Sequence, residues 1–381
     1  AAIMALKLIM LALLAYSWFL SHIEVEGVRV ISKEEDLELE KQLKLLNKPA
    51  VKTIKTKHGD IYDCVDFYKQ RAFDHPLLKN HSFHPKMIPS VPKAMIDENR
   101  LNAETVEDIG LTEGRCPEGT VIIRRITKDD LLREKLFEEK YGSKIKPLMP
   151  GDPGFHLAVA RTKSNTGLKF NGASMSTSLY NPPARGIQYS SSQMKIKNGD
   201  DTIQVGWTAG GSACYNDRCP GFVHLETNPP IPLDFAFKET SVRGNPPKYT
   251  AFKFLRDSDG NWVLHVGVKD VAIGYWPKAL FTGLGDKGTY VEWGGQVFSL
   301  PAQPSPPMGS NFHPSRDTNY DCFSMRLQFQ KNDEESFSDP KDEIETFTDD
   351  NRSYGIDDLG FQDDTFRRII VFGGPGGATE V

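Results

Sequence analysis

Two glutamines occupy matching places in two short, strand-like segments of this chain. Gln204 lies in the stretch 201–225, DTIQVGWTAGGSACYNDRCPGFVHL, and Gln296 lies in the stretch 290–300, YVEWGGQVFSL. Each glutamine is close to a glycine and a tryptophan. A glutamine amide can donate a hydrogen bond to an oxyanion, but it accepts a proton only in strong acid. The pair could therefore bind and polarise a substrate, but it could not serve as a general base.

A carboxylate lies near the second glutamine. Glu292 precedes Gln296 by four residues, so a regular strand places both side chains on one face. At about 3.3 Å per residue their Cα atoms are roughly 13 Å apart, too far for one side chain to take the role of the other. A bulge at Gly294-Gly295 would change this spacing. With such a bulge, Glu292 would be a candidate surrogate base.

Other residues with catalytic or metal-binding potential are better explained by structure. His81 and His84 have metal-like spacing without a third ligand in view, so we predict no metal site. His224 and His265 fall in predicted strands and are expected to make structural hydrogen bonds. The sequence contains no nucleophile elbow, and the glycine-rich stretch 373–377 opens no helix. We predict no cofactor.

Four aromatic residues near these segments could line a groove. Trp207, Tyr275, Trp276 and Trp293 could stack on proline or sugar rings, or they could be core residues of a sandwich. The sequence leaves both interpretations open.

The cysteines and sequons suit an oxidising, secretory environment. The five cysteines are Cys64, Cys116, Cys214, Cys219 and Cys322. An odd number leaves at least one thiol free or paired between chains. The sequons that begin at Asn80 and Asn351 could carry glycans in a protein on the secretory route.

The first residues are typical of a secretory signal peptide, which we place at 1–21. Lys7 precedes the apolar run 8–20, and small residues offer cleavage points. The run is shorter than the roughly 20 apolar residues that span a bilayer, so we expect no stable membrane insertion after cleavage. The formal net charge of -5 and the lack of a basic stripe argue against a nucleic-acid partner.

The 381 residues exceed one ordinary core, and the pattern of the chain changes along its length. Ser32 and Glu35 have capping-box spacing before a helical apolar period, and Thr127 and Asp130 have it before a second one. A hairpin is predicted between these helices. Together they predict a small α+β unit. The Pro/Gly-rich stretch 144–154 that follows is typical of an exposed linker.

The rest of the chain has a β pattern. From Phe155 on, short alternating runs recur between clusters of turn residues, which predicts an antiparallel β-sandwich or barrel. The stretch from Asp257 to Gly260 has the composition of a hairpin loop. The strongly acidic stretch 333–364 predicts a solvated loop.

A set of strings in this chain resembles the neprosin family of secreted plant proteins, whose active members are glutamic peptidases that cleave after proline. Strings similar to the family's activation propeptide are EEDLELEKQLKLLNKPAVKTIKT, CVDFYKQRAFDHPLLKNH and CPEGTVIIRRITKDDLLR. Strings similar to its catalytic domain are SSSQM, IQVGW, CYNDRCPGFV, AIGYWPKALF, WGGQV, MGSNFHP and FGGPG. They occur in the family's order over nearly the whole chain after the signal.

This resemblance implies a domain division, a fold and a set of disulfides. Residues 22–150 would form the activation propeptide, whose removal exposes the active cleft. Residues 151–381 would form a catalytic-type antiparallel β-sandwich of two sheets. The implied disulfides are Cys64–Cys116 and Cys214–Cys219, with Cys322 as a free, buried thiol.

The resemblance also implies that two catalytic residues are replaced. In active members, glutamates occupy the positions of Gln204 and Gln296, and peptide hydrolysis needs a carboxylate that takes a proton from water. Only the stretch from Thr208 to Ala213 stands where active members have a long insertion, so about one strand and its turn is missing. The chain is therefore expected to be catalytically impaired.

Three functions follow from these observations. We predict a secreted, neprosin-like pseudoenzyme of the apoplast or cell wall that binds a proline-rich peptide or a cell-wall polymer. One alternative is an active proline-directed glutamic endopeptidase that uses Glu292 as its base. The other is a lectin-like sandwich that binds carbohydrate through exposed aromatic residues, which rests on fold analogy.

Overall fold

The computed structural model of the chain describes a large part of its residues. These are 31–57, 59–79, 81, 104–105, 115–141, 154–164, 166–210, 216, 220–226, 231–332 and 334–377. The predicted signal peptide and the residues Asn80, His84, Cys214 and Cys219 lie outside them. Within the described residues, no helix is both long and apolar enough to cross a membrane.

The N-terminal elements combine helices with a small sheet, as predicted. In chain order they are α1 (Lys33–Leu46), β1 (Ala50–Lys55), β2 (Ile61–Asp66), the 3-10 turns Phe67–Lys69, Arg71–Asp74 and Pro76–Leu78, β3 (Glu104–Thr105), β4 (Thr120–Arg124) and α2 (Lys128–Tyr141). Strands β1, β2 and β4 form an antiparallel sheet in that order, and β1 with β2 makes the predicted hairpin. We call β1, β2, β4, α2 and the 3-10 turns the α+β unit.

Both helices begin where the capping-box spacing predicts. The backbone N–H of Glu35 donates to Ser32 Oγ over 3.1 Å. At α2 the exchange is reciprocal, because Asp130 N–H donates to Thr127 Oγ1 over 3.2 Å and Thr127 N–H donates to Asp130 Oδ2 over 2.9 Å. These bonds satisfy backbone donors that the first helical turn leaves unpaired.

Removing the cap of α2 should weaken the α+β unit modestly. We expect Thr127→Ala to lower the free energy of unfolding by about 1 kcal/mol, because the hydroxyl that accepts from Asp130 N–H is lost. Thr127→Ser, which keeps the hydroxyl, should unfold at nearly the wild-type urea concentration. Equal losses for the two variants would contradict a capping role.

A disulfide reinforces the α+β unit. Cys64 in β2 is bonded to Cys116, 52 residues later, in the segment before β4. This is one of the two pairings that the family resemblance implied. Cys322 is a buried free thiol, and the Ser178 hydroxyl lies 3.5 Å from its sulfur.

From Phe155 onward the described chain is a β-sandwich, which agrees with the predicted fold class. Its strands are β5 (Phe155–Thr162), β6 (Phe170–Ser178), β7 (Tyr189–Asn198), β8 (Asp201–Gly210), β9 (Val223–His224), β10 (Lys248–Arg256), β11 (Trp262–Val266), β12 (Val271–Trp276), β13 (Tyr290–Phe298), β14 (Met308–Gly309), β15 (Cys322–Lys331), β16 (Ile344–Thr348), β17 (Gly355–Phe361) and β18 (Arg368–Gly374).

The described strands of the sandwich form two sheets. The smaller sheet has the order β16-β5-β13-β7-β8. The larger sheet has the order β14-β18-β15-β6-β10-β11-β12-β9, with β17 beside β18 and β3 beside β10. The pairing of β3 with β10 is parallel, and the pairings between the other strands of the sandwich are antiparallel.

The hydrophobic core lies between the two sheets. It combines Met194 and Trp293 from the smaller sheet with Phe254 and Leu327 from the larger one. Side chains alternate between the faces of a strand, so the residues next to these point away from the core. The outer face of the smaller sheet carries the two glutamines.

The prediction of a solvated loop over 333–364 is wrong. This stretch contains β16 and β17, which add strands at the edges of the two sheets. Several of its carboxylates are paired with bases from neighbouring segments, as in Glu343 with Lys331 at 2.9 Å and Glu345 with Arg161 at 3.0 Å. Cross-strand pairing of opposite charges lets an acidic sequence form strands.

Candidate functional site

Strand β7 is the centre of the candidate site, because it lies between β13 and β8. Lys195 of β7 stands opposite Glu292 on one side and Gln204 on the other. Four residues earlier, Ser191 stands opposite Gln296. The predicted residues Gln204, Gln296 and Glu292 therefore share the outer face of one sheet.

Two glycines leave a trough between these two rows. Gln193 of β7 stands opposite Gly294 on one side and Gly206 on the other. A Cβ at Gly294 would lie 2.3 Å from the carbonyl oxygen of Ala158, and one at Gly206 would lie 2.0 Å from that of Ser192. The backbone thus excludes side chains at both positions, and the Gln193 side chain lies between the two rows.

Lys195, which was not among the predicted site residues, joins the two rows. Lys195 Nζ lies 2.7 Å from Glu292 Oε1 and donates to Gln296 Oε1 over 3.5 Å. On its other side, the Gln296 amide nitrogen donates to the hydroxyl oxygen of Tyr189 over 2.6 Å. Glu292, Lys195, Gln296 and Tyr189 therefore form one connected network.

The carboxylate of Glu292 is fully engaged. Lys195 Nζ and Gln193 Nε2 approach Oε1, the latter at 2.8 Å, and the Tyr290 hydroxyl donates to Oε2. Burial by itself raises the pKa of Glu292, but the Lys195 ammonium and the hydrogen bonds from Lys195, Tyr290 and Gln193 outweigh it and hold the pKa below its ordinary value of 4.5. The group is ionised, and taking up a proton would break an ion pair.

Most of this network is removed from solvent. Glu292, Gln193 and Gln296 are each 1% exposed and Lys195 is 5% exposed, whereas Gln204 is partly exposed. Beside the network, Leu136 of α2 packs against a cluster that contains Tyr189 and Phe298, whose rings stack 5.7 Å apart. The α+β unit therefore contacts the sandwich next to the site.

Glu292 and Gln296 are connected more closely than the distance between their Cα atoms predicts. Strand β13 pairs with both neighbours without a register shift, so there is no bulge at Gly294-Gly295. Glu292 and Gln296 nevertheless come within reach of one ammonium group, because the side chains lean toward Lys195 across the trough. The alternating polar residues of SSSQMKIKNG were the signal that could have identified Gln193 and Lys195.

The four aromatic residues do not line a groove at this site. Trp207 and Trp293 belong to the core between the sheets, and their indole nitrogens donate to backbone carbonyls of Ser178 and Ser174. The reason is strand alternation, which turns a side chain inward when its neighbour on the strand points outward.

The other two aromatics lie in the larger sheet. Tyr275 is 1% exposed and packs in a cluster with residues of the α+β unit. Trp276 is partly buried and meets Phe222 edge-on, with ring centroids 4.7 Å apart. Trp207 and Trp293 are therefore core residues, and Trp276 packs against the same core from the larger sheet. Tyr275 packs on the outer face of that sheet.

The remaining candidates are dispersed. His265 Nδ1 lies 3.3 Å from Asp270 Oδ1 in the larger sheet, and the backbone of His224 bonds to Gln70. Asn351 is exposed in the turn before β17, where a glycan could be attached. Among the described residues, no three His, Cys, Asp or Glu side chains are arranged to hold a metal ion.

The arrangement is suited to hydrogen bonding and not to proton abstraction. Gln204 offers an amide at the partly exposed edge of the site. The carbonyl oxygen of the Gln193 amide is buried without a hydrogen-bond partner in the described part of the chain. Leaving a buried polar atom without a partner is costly. The one carboxylate of the network is occupied by donors.

Two family models match this chain. The model of the neprosin domain matches residues 207–375, which include Gln296 and begin three residues after Gln204. The model of the neprosin activation peptide matches residues 53–171, which include β2, β4, α2 and strand β5 of the smaller sheet. The chain belongs to the neprosin family and carries the family's activation peptide.

Proposed function

We propose that this protein is a secreted, catalytically impaired neprosin homologue that binds a proline-rich peptide without cutting it. The observation that carries the proposal is the state of the candidate site. Amides occupy both positions at which active members are expected to have glutamates, and the nearby carboxylate of Glu292 is held by three donors.

A missing base has a large effect on hydrolysis. General-base assistance contributes about 10²- to 10⁴-fold to a rate, and an amide gives none of it near neutral pH. Glu292 is a poor substitute, because Lys195, Gln193 and Tyr290 occupy both of its carboxylate oxygens. This argues against the alternative of an active endopeptidase that uses Glu292 as its base.

A peptide ligand fits the amide at the partly exposed edge of the site. The Gln204 side chain could donate to a peptide carbonyl and accept from a peptide N–H. Carbohydrate binding depended on exposed aromatic residues, but Trp207, Trp293 and Tyr275 are buried. We therefore favour a peptide over a cell-wall polysaccharide.

The test measures binding and cleavage on the same sample. The secreted chain is cut in the predicted linker 144–154 and mixed at mildly acid pH with a fluorescent proline-rich peptide. We expect the anisotropy of the peptide to rise while mass spectrometry finds it intact. A scrambled peptide without proline is the control. Hydrolysis after proline by the unaltered chain, or no binding at all, would contradict the proposal.

A further inference from the structure

The α+β unit shares a hydrophobic core with the larger sheet. On the outer face of that sheet, Val263, Tyr275 and Val223 lie side by side across β11, β12 and β9. They pack in one cluster with residues of the α+β unit that include Phe67 and Leu78. All five side chains are at most 1% exposed. Such a cluster holds two parts together without a covalent bond.

A glutamine side chain completes the edge of the larger sheet. Among the described strands, β9 is the last of that sheet, and none of them pairs with its far edge. There, His224 N–H donates to Gln70 Oε1 over 2.7 Å, and Gln70 Nε2 donates to the His224 carbonyl over 3.3 Å. The amide of Gln70, 1% exposed, takes the place of a peptide group of a further strand.

Ionic contacts also join the α+β unit to the segment before β10. Lys238 lies 2.5 Å from Asp60, and Arg124 lies 3.4 Å from Asp234. Burial lowers the pKa of Arg124, but the carboxylates of Asp234 and Asp130 outweigh this and raise it. The disulfide Cys64–Cys116 lies wholly within the α+β unit, so it does not tie that unit to the sandwich.

We propose that the α+β unit is a lasting subunit of this protein, which stays bound to the β9-β12-β11 face after the chain is cut between α2 and β5. The partner of this surface is thus the protein's own activation peptide. It is held by the apolar cluster, by the hydrogen bonds between the Gln70 amide and His224, and by the two ion pairs. The inference does not rest on the proposed function, because this face belongs to the other sheet. Cutting the linker alone then leaves both parts together.

The test uses the full-length chain with a site-specific protease sequence inserted within 142–153. A denaturing, non-reducing gel establishes complete cutting and the absence of a covalent link. Size-exclusion chromatography with light scattering then follows the cut protein at low micromolar concentration and neutral pH. We expect one species with the mass of the uncut chain. Separate elution of the two fragments overturns the proposal.

Substitutions at the surface test what holds the unit. Gln70→Ala should speed release of the N-terminal fragment from an immobilised sandwich by about 10- to 100-fold, because it leaves buried backbone groups of His224 unpaired. Lys69→Ala, at an exposed neighbouring position, is the matched control. Val263→Ala is a second variant on the sheet side. Release of both folded variants at the control rate overturns the assignment of this surface.

Discussion

Replacing Gln204 and Gln296 together by glutamate is expected to raise the hydrolysis of a proline-containing peptide by about 10²- to 10⁴-fold over the unaltered chain. The double variant restores the carboxylates that active members of the family are expected to carry. The fold already presents both positions on the outer face of the smaller sheet, on opposite sides of β7.

The site can accept a carboxylate at position 296. Gln296 is buried, so an unpaired charge there would be costly. Lys195 Nζ already lies 3.5 Å from its Oε1, and the Tyr189 hydroxyl lies 2.6 Å from its nitrogen and can turn to donate. The new charge would therefore meet an ammonium and a hydroxyl.

The measurement compares initial rates of the double variant, both single variants and the unaltered chain, all cut in the linker. Thr208→Glu is the matched control, since it places a carboxylate at an exposed position of the same face. It should gain nothing. If the double variant is folded and inert, the loss extends beyond the base, and the short segment after Trp207 becomes the leading cause.

The second large expected effect is a loss of protein stability when the ion pair between Glu292 and Lys195 is broken. Glu292→Gln should lower the free energy of unfolding by about 3–5 kcal/mol, because it leaves the buried ammonium of Lys195 without its charged partner. Urea unfolding of the uncut chain measures the loss. Replacing both partners, Lys195→Met with Glu292→Leu, should cost far less, because no unpaired charge remains. Equal losses would show that the pair is not the cause.

The loss of stability in Glu292→Gln should depend on pH. The folded-state pKa of Glu292 is lowered, so its stabilisation is complete above its ordinary value of 4.5 and is lost as the pH falls through the folded pKa. The difference in stability between the unaltered chain and Glu292→Gln should therefore be full at pH 7 and shrink only below about pH 4.5. A difference that shrinks above pH 6 would contradict this assignment.

Much of the fold follows from local signals in the sequence. The Thr127 and Asp130 spacing predicts the start of α2, because the two residues satisfy each other's backbone donors. The turn from Asp257 to Gly260 joins β10 and β11. Strand alternation predicts the sandwich. These features depend on residues that are neighbours along the chain.

The network at the site could not be predicted in this way, because it depends on register between distant strands. Lys195 and Glu292 are 97 residues apart in sequence and become neighbours only when β7 pairs with β13. The strands in the acidic stretch were missed for the same reason, since the bases that pair with Glu343 and Glu345 come from other strands. Composition gives the number of charged residues, but it does not show which residues pair with each other.

The glycines beside the trough are required by the fold, so the family strings that contain them do not indicate activity. Gly206 and Gly294 lie in the strings IQVGW and WGGQV, and any side chain there would strike the backbone of the neighbouring strand. The sheet therefore requires these glycines whether or not the protein cuts peptides. A genome survey that counts members by the glycines and tryptophans of these strings will therefore include proteins without a catalytic base. The residues at positions 204 and 296 must be read separately.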